Sequence, residues 1–430
     1  MQNRLATLLL CFFVFTTTAQ TPSQQKSPTL SEADPTEVGM SPDRLAKIDG
    51  MLQETIDKNE LPGAVALIAR NGKIVFHKAY GMADNSAKKS MEKNTIFRIA
   101  SQTKAITSTA VMMLWEEGKF RLDDPISQYI PEFGEAQILD SFYETDSTYT
   151  TKPAEDQITI RDLITHTSGI GYGVIDGDER FKKIYTKAGI TDLFTTKNIS
   201  IEESVKKLAK LPLHHNPGDR FTYSEGLDIL GYLIEVVSGV PFDQFLKTRI
   251  FDPLGMNDTR FYLPPEKYGR LVTVQHKVDG EWRKYPITFY DTDYPIKGAK
   301  CFFSGGAGLS STAKDYATFL QMYLNGGELN GTRILSRTTV RSIMGNQTGE
   351  KFTEGTKHYG LAFGVVTLQG QDAGGEGSAG TFDWGGYFNT QYFADPQENI
   401  IGILMKQTQG EVKDDTGWKF RQMVFAAVDD

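Results

Sequence analysis

A serine and a lysine three residues apart can form a nucleophile, because an amine held over a hydroxyl can take or share its proton. The chain contains six Ser-x-x-Lys runs, beginning at Ser23, Ser86, Ser90, Ser101, Ser204 and Ser311. Ser23 lies in a polar linker, and Ser86 and Ser90 in a lysine-rich turn. Ser204 falls inside an amphipathic helix, and Ser311 just before a helix with ordinary polar flanks. Ser101-Gln102-Thr103-Lys104 differs: Thr95 to Ala100 leads in, and Ala105 to Trp115 continues without a charge. That continuation reads as a buried helix, ended by Gly118 as its C′ residue. A lysine at its start is carried toward the interior, where a charge is costly unless paired or neutral, and the spacing sets its amine over Ser101. Free N–H groups and the dipole at a helix N-terminus would also favour an oxyanion there. The plainer reading is a capping serine with a snorkelling lysine.

Other patterns carry less chemistry. There is no Gly-x-Ser-x-Gly elbow and no His-Glu-x-x-His pair, and the adjacent His214-His215 would point apart on a helix or strand. Gly375-Glu376-Gly377-Ser378-Ala379-Gly380 has dinucleotide-loop spacing, but polar loop precedes it and strand follows, the reverse of what such a loop requires. No metal and no organic cofactor is expected.

These residues need a frame. With 430 residues and 39 % hydrophobic content, the chain can bury a large core, and its net charge of −8 disfavours nucleic acid as a partner. No run approaches the ~20 apolar residues of a membrane span. Residues 1–19 read as a signal peptide, with Arg4, an apolar run from Leu8 to Phe15 and small residues up to Ala19; a periplasmic or secreted location follows. Residues 20–37 read as a linker with no packing duty. Ser41-Pro42 opens an amphipathic helix through Leu45, Ile48, Leu52 and Ile56, and Asn71-Gly72 joins the strands Gly63–Ala69 and Ile74–Tyr80 as a hairpin. Helical signals dominate from 105 to 300, except that 135–157 is acidic, Thr-rich and aperiodic and reads as a surface loop near the cleft rim. Strands are expected at Leu361–Leu368, Tyr387–Ala394 and Ile400–Met405, with helices at Thr312–Leu324 and Thr416–Val428. The fold class is α/β (α+β): an antiparallel sheet flanked by helices and built from both termini. Residues 38–104 and 301–430 form this lobe, and 105–300 an inserted helical lobe.

With its motifs in this order, the chain resembles the serine β-lactamase and penicillin-binding-protein superfamily, in the branch of class C β-lactamases and related esterases. Ser101 and Lys104 match the first motif. Tyr223-Ser224-Glu225, within residues 221–239, matches the tyrosine motif, and Trp384-Gly385-Gly386 the third. Ile164 to Gly169, Pro253 to Met256 and Ser304 to Leu309 are also similar. The resemblance implies that Ser101 attacks an ester or amide carbonyl and becomes acylated, with Lys104 and Tyr223 moving the protons. It also implies an oxyanion hole made by the N–H groups of Ser101 and Tyr387, with Gly385 and Gly386 allowing close approach. His166 and Ser168 read as turn residues.

Two departures bear on the substrate, which is expected to be a small ester or amide. β-Lactamases and transpeptidases usually carry asparagine where this chain has Glu225, and lysine or histidine where it has Trp384. Losing a cation and gaining a carboxylate disfavours anionic substrates. The reading is therefore an exported serine hydrolase, a carboxylesterase by preference. The alternatives are a β-lactamase or D-amino-acid-specific peptidase, with Lys357 or His358 supplying anion recognition, and a non-catalytic homologue that binds cell-wall peptide.

Overall fold

The computed structural model describes residues 23–410 and 414–430, so the expected signal peptide lies outside the described residues. Helix α1 (Pro42–Asp57) starts at Ser41, whose hydroxyl accepts the Arg44 N–H, and buries Leu45, Ile48 and Leu52 as its periodicity predicts. Strands β1 (Gly63–Arg70) and β2 (Lys73–Asp84) follow as an antiparallel hairpin. Asn71 and Gly72 both have positive φ, +51° and +74°, which suits the turn to the twist of its strands.

All eight residues of β1 are buried, on both faces. Ala64, Ala66 and Ile68 face α1, while Val65, Leu67 and Ala69 face the larger core. Helix α2 (Thr103–Glu116) buries every residue from Thr103 to Leu114, and Gly118 beyond it has φ +70°. Residues 137–153 are not a loop: β3 (Gln137–Tyr143) and β4 (Thr148–Pro153) form a hairpin. A bulge between Leu139 and Ser141 breaks its side-chain alternation, which is why the segment looks aperiodic. The hairpin is held by Leu213, Lys183 and Lys187.

Helix α3 (Gly226–Ser238) packs on α2, and α4 (Ala313–Leu324) on the sheet. The sheet continues with β5 (Lys357–Tyr359), β6 (Gly364–Val366), β7 (Phe382–Gly385), β8 (Gln391–Asp395) and β9 (Ile400–Met405). Its main path is β2-β1-β9-β8-β7-β6-β5, with β9 antiparallel to β1 from Ile400↔Arg70 to Met405↔Val65. Helix α5 (Thr416–Ala426) packs against α1. The antiparallel core built from both termini is therefore as expected.

Three boundaries differ from the sequence reading. The expected linker is tied down: Ser31–Glu32 pairs parallel with β2, and Ser27 donates to buried Glu328 from both its N–H and its hydroxyl. These few contacts fasten a segment whose side chains are otherwise largely exposed. Of the expected strand Leu361–Leu368 only Gly364–Val366 is extended, because Thr367 caps a short helix over Leu368–Ala373. Tyr387–Thr390 is a turn, closed by Gly386 N–H to Thr390 O (2.8 Å) and Asn389 N–H to Gly386 O (2.9 Å). The third motif therefore ends strand β7 and opens a turn, and the next strand starts only at Gln391.

Candidate active site

Ser101 sits in a 3₁₀ turn, Ala100–Gln102, that runs into α2. Ala100 has φ +43°, a strained conformation for a residue with a side chain, directly before the candidate nucleophile. Lys104, in the first turn of α2, is buried, with its Nζ 3.4 Å from Ser101 Oγ. Its stronger hydrogen bond goes to the Gly306 carbonyl at 2.8 Å. Tyr223 precedes α3, and Lys104 Nζ stands 4.6 Å from the centroid of its ring. Trp384 Nε1 donates to Tyr223 Oη at 3.5 Å. The fold thus gathers Ser101, Lys104, Tyr223 and Trp384 from a helix start, a loop and a strand end.

The turn after Trp384 lies against the chain entering Ser101. A Cβ at Gly386 would stand 2.5 Å from Ile99 O, so only glycine permits this approach. Among the described residues no hydrogen bond uses the N–H of Ser101 or of Tyr387. Tyr387 itself faces Phe194 and Tyr290, part of an aromatic wall with Tyr285, Tyr294 and Phe388.

Glu225 is the main correction to the site. It is only 2 % exposed and lies among Asp192 and Asp228 rather than on a substrate-facing surface. Burial, then the adjacent Asp192, holds its carboxyl well above the usual pKa range, against an opposing pull from Lys104. Enclosed in this way, it does not present its carboxyl to a substrate, and the expected repulsion of anions does not come from it. Trp384 lies at a partly open position, with its ring stacked on Phe352 and edge-on to Tyr359.

Lys357 and His358 are already engaged. Lys357 Nζ binds Asp383 (2.8 Å) and Glu376 (2.9 Å), carboxylates shared with Arg421, while His358 Nε2 meets the Met344 carbonyl at 2.9 Å. His166 is fully buried. Its Nδ1 accepts the Ser224 N–H at 3.2 Å, and its ring packs 4.7 Å from that of Tyr223. Burial, with Lys104 nearby, drives its pKa well below 6.5, so the ring is a neutral brace for the tyrosine loop.

Sequence reasoning missed Tyr172, Asp192, Asp228 and the particular part of Gly306. Asp228 did leave a signal, as the one acid in the apolar run Leu227 to Leu233.

The Beta-lactamase family model matches residues 48–426. The chain belongs to the Beta-lactamase family. Within that family it is similar to Esterase EstB of Burkholderia gladioli, 30 % identical over 401 residues, covering 89 % of this chain and 95 % of EstB. The solved structure of EstCE1, described as a hydrolase with promiscuous acyltransferase activity, superposes with a TM-score of 0.76. It is 28 % identical and covers 89 % of this chain and 99 % of EstCE1. A putative D-alanyl-D-alanine carboxypeptidase of Escherichia coli K12 is 28 % identical over 340 residues, covering 74 % of this chain and 73 % of that protein. Membership of this family, with its esterase relatives, makes the protein a serine hydrolase with the fold described above.

Proposed function

We propose that the protein is an exported carboxylesterase acting through an acyl-Ser101 intermediate. Ser101 Oγ attacks the ester carbonyl carbon, and its proton passes into the Lys104–Tyr223 pair. The N–H groups of Ser101 and Tyr387 receive the oxyanion of the tetrahedral intermediate. Collapse expels the alcohol, which takes a proton from Tyr223. Water then attacks the acyl carbon, with Tyr223 as base, and releases a carboxylate and free Ser101.

The observation that carries the ester preference is Trp384, an aromatic group with one N–H donor, beside Tyr223 where penicillin- and peptide-cleaving relatives carry a cation. The nearby Lys357 is neutralised by two carboxylates and does not replace that cation. Similarity to EstB over most of both chains supports the same reading.

The test is turnover of p-nitrophenyl butyrate and of a chromogenic cephalosporin by wild type and Ser101→Ala. Ester turnover lost in the variant, with little cephalosporin cleavage, is expected. Dominant cephalosporin cleavage would favour the β-lactamase or peptidase reading. Absence of Ser101-dependent acylation by either would favour a peptide-binding role. Export is tested by fractionating cells that express the full chain, with the mature N-terminus read by mass spectrometry. Full-length protein confined to the cytoplasm would refute it.

A further inference from the structure

Lys104 is 1 % exposed, yet among the described residues no carboxylate lies within 4 Å of its amine. A buried ammonium without a compensating charge is costly, so its balance must come from slightly farther away. Gly306 makes the connection. Its N–H donates to Asp228 Oδ1 at 3.1 Å, and its carbonyl accepts from Lys104 Nζ at 2.8 Å. A Cβ added to Gly306 would lie 3.3 Å from Asp228 Oδ2, 3.5 Å from Lys104 Nζ and 3.5 Å from Tyr172 Oη. Acid, amine and phenol therefore converge on one bare Cα. Asp228 Oδ2 and Tyr172 Oη have no hydrogen-bond partner among the described residues.

We infer that Asp228 is a positioning residue for Lys104, acting through Gly306. It anchors the 304–306 segment by the Gly306 N–H and supplies the negative field that keeps the ammonium aimed at Ser101. The inference rests on the proposed Ser101 mechanism. Burial raises the pKa of Asp228, while the Ser304 hydroxyl, the Gly306 N–H and Lys104 all favour its charged form. The other acids facing this space are Glu225 and Asp192; burial and Asp192 disfavour the charged form of Glu225, and Asp192 is occupied by the N–H groups of Gly173 and Val174. Lys104 also faces the rings of Tyr172 and Tyr223, with neutral His166 behind them. Asp228 is thus the acid best placed to balance Lys104.

Asp228→Asn keeps the shape and the acceptor for Gly306 but removes the charge. An anion lost beside a cation disfavours the protonated amine. The pH–rate limb that reports the Ser101–Lys104–Tyr223 group therefore moves to lower pH, by about one unit, whichever protonation state catalysis requires. A loosened amine also lowers kcat roughly 10- to 100-fold with little change in KM. The measurement is kcat and KM for p-nitrophenyl butyrate from pH 5 to 10, with a thermal melt of each variant. A folded Asp228→Asn protein with the wild-type limb and kcat would overturn the inference.

Should that variant not fold, Ser304→Ala removes one donor that keeps Asp228 charged. It is expected to lose activity on the acid side and recover it as pH rises, and an unchanged profile would equally overturn the inference. Ser101→Ala, run alongside, separates the two levels. Turnover surviving in Ser101→Ala would sink the mechanism itself, whereas Ser101-dependent turnover indifferent to Asp228 would sink only this positioning role.

Discussion

Two lysines of this protein are equally buried and differently used. Lys406, at the end of β9, is fully buried and forms a direct ion pair with Asp414, supported by the Thr416 hydroxyl at 3.1 Å. Lys104 has no such partner and instead touches a carbonyl, a serine hydroxyl and two aromatic rings. The first is saturated by its own carboxylate and holds the segment that enters α5. The second is balanced at one remove and keeps an unspent donor over Ser101. A structural charge is closed by its partner, whereas a charge placed for chemistry is left partly open.

That contrast can be broken at several points. The largest effect is expected from Ser101→Ala, which should cut ester turnover by at least about 10³-fold while leaving the melting temperature near wild type, as stopped-time assays and calorimetry would show. Lys406→Met should do the opposite. It strands buried Asp414 without its cation, costing about 3–5 kcal/mol in a denaturant titration, with kcat per folded molecule preserved. Equal loss of activity in that variant would erase the distinction between the two lysines. Trp384→Lys adds a cation at the mouth and should shift the ratio of carboxylate-bearing to neutral ester turnover by about tenfold toward the anionic substrate.

A smaller effect concerns pH. His166 is neutral when folded, but in the unfolded chain it takes up a proton near its ordinary 6.5. The unfolded state therefore binds more protons below that pH, and stability should fall as pH drops from 6.5, by up to about 1.4 kcal/mol per unit. His77 and His215 also have lowered values, so the diagnostic quantity is the difference between wild type and His166→Asn. Identical slopes between pH 6.5 and 5.5 would show that His166 is not the group responsible. The smallest change is expected at a helix start outside the catalytic set. Thr312→Ala removes the cap of α4, whose hydroxyl accepts the Asp315 N–H, for about 1 kcal/mol and no change in kcat.

Legibility followed the same division. Helix α1, the Asn71-Gly72 hairpin and β9 obey local rules of spacing and turn chemistry, and they could be read from the chain alone. The motifs around Ser101, Tyr223 and Trp384 were also legible, because each is short and contiguous. The hairpin at 137–153 was not, since its bulge disrupts the period of two. Nor was the burial of Glu225, which depends on Asp192 arriving from 33 residues upstream in the chain to share its pocket. Gly306 is the sharpest case: its neighbours in sequence announce a turn, but its contact with both Asp228 and Lys104 exists only after three separate segments meet.

The pairing of β9 with β1 has a consequence for how the protein comes into being. Arg70 meets Ile400, so this strand pair joins segments 330 residues apart in the chain. A nascent chain carries Ser101 and Lys104 out of the ribosome long before the strand that completes the sheet has been translated. Contacts so distant in sequence form slowly. The nucleophile must therefore wait as an ordinary serine in an open polypeptide until Ile400–Met405 has been made and has paired with Val65–Arg70.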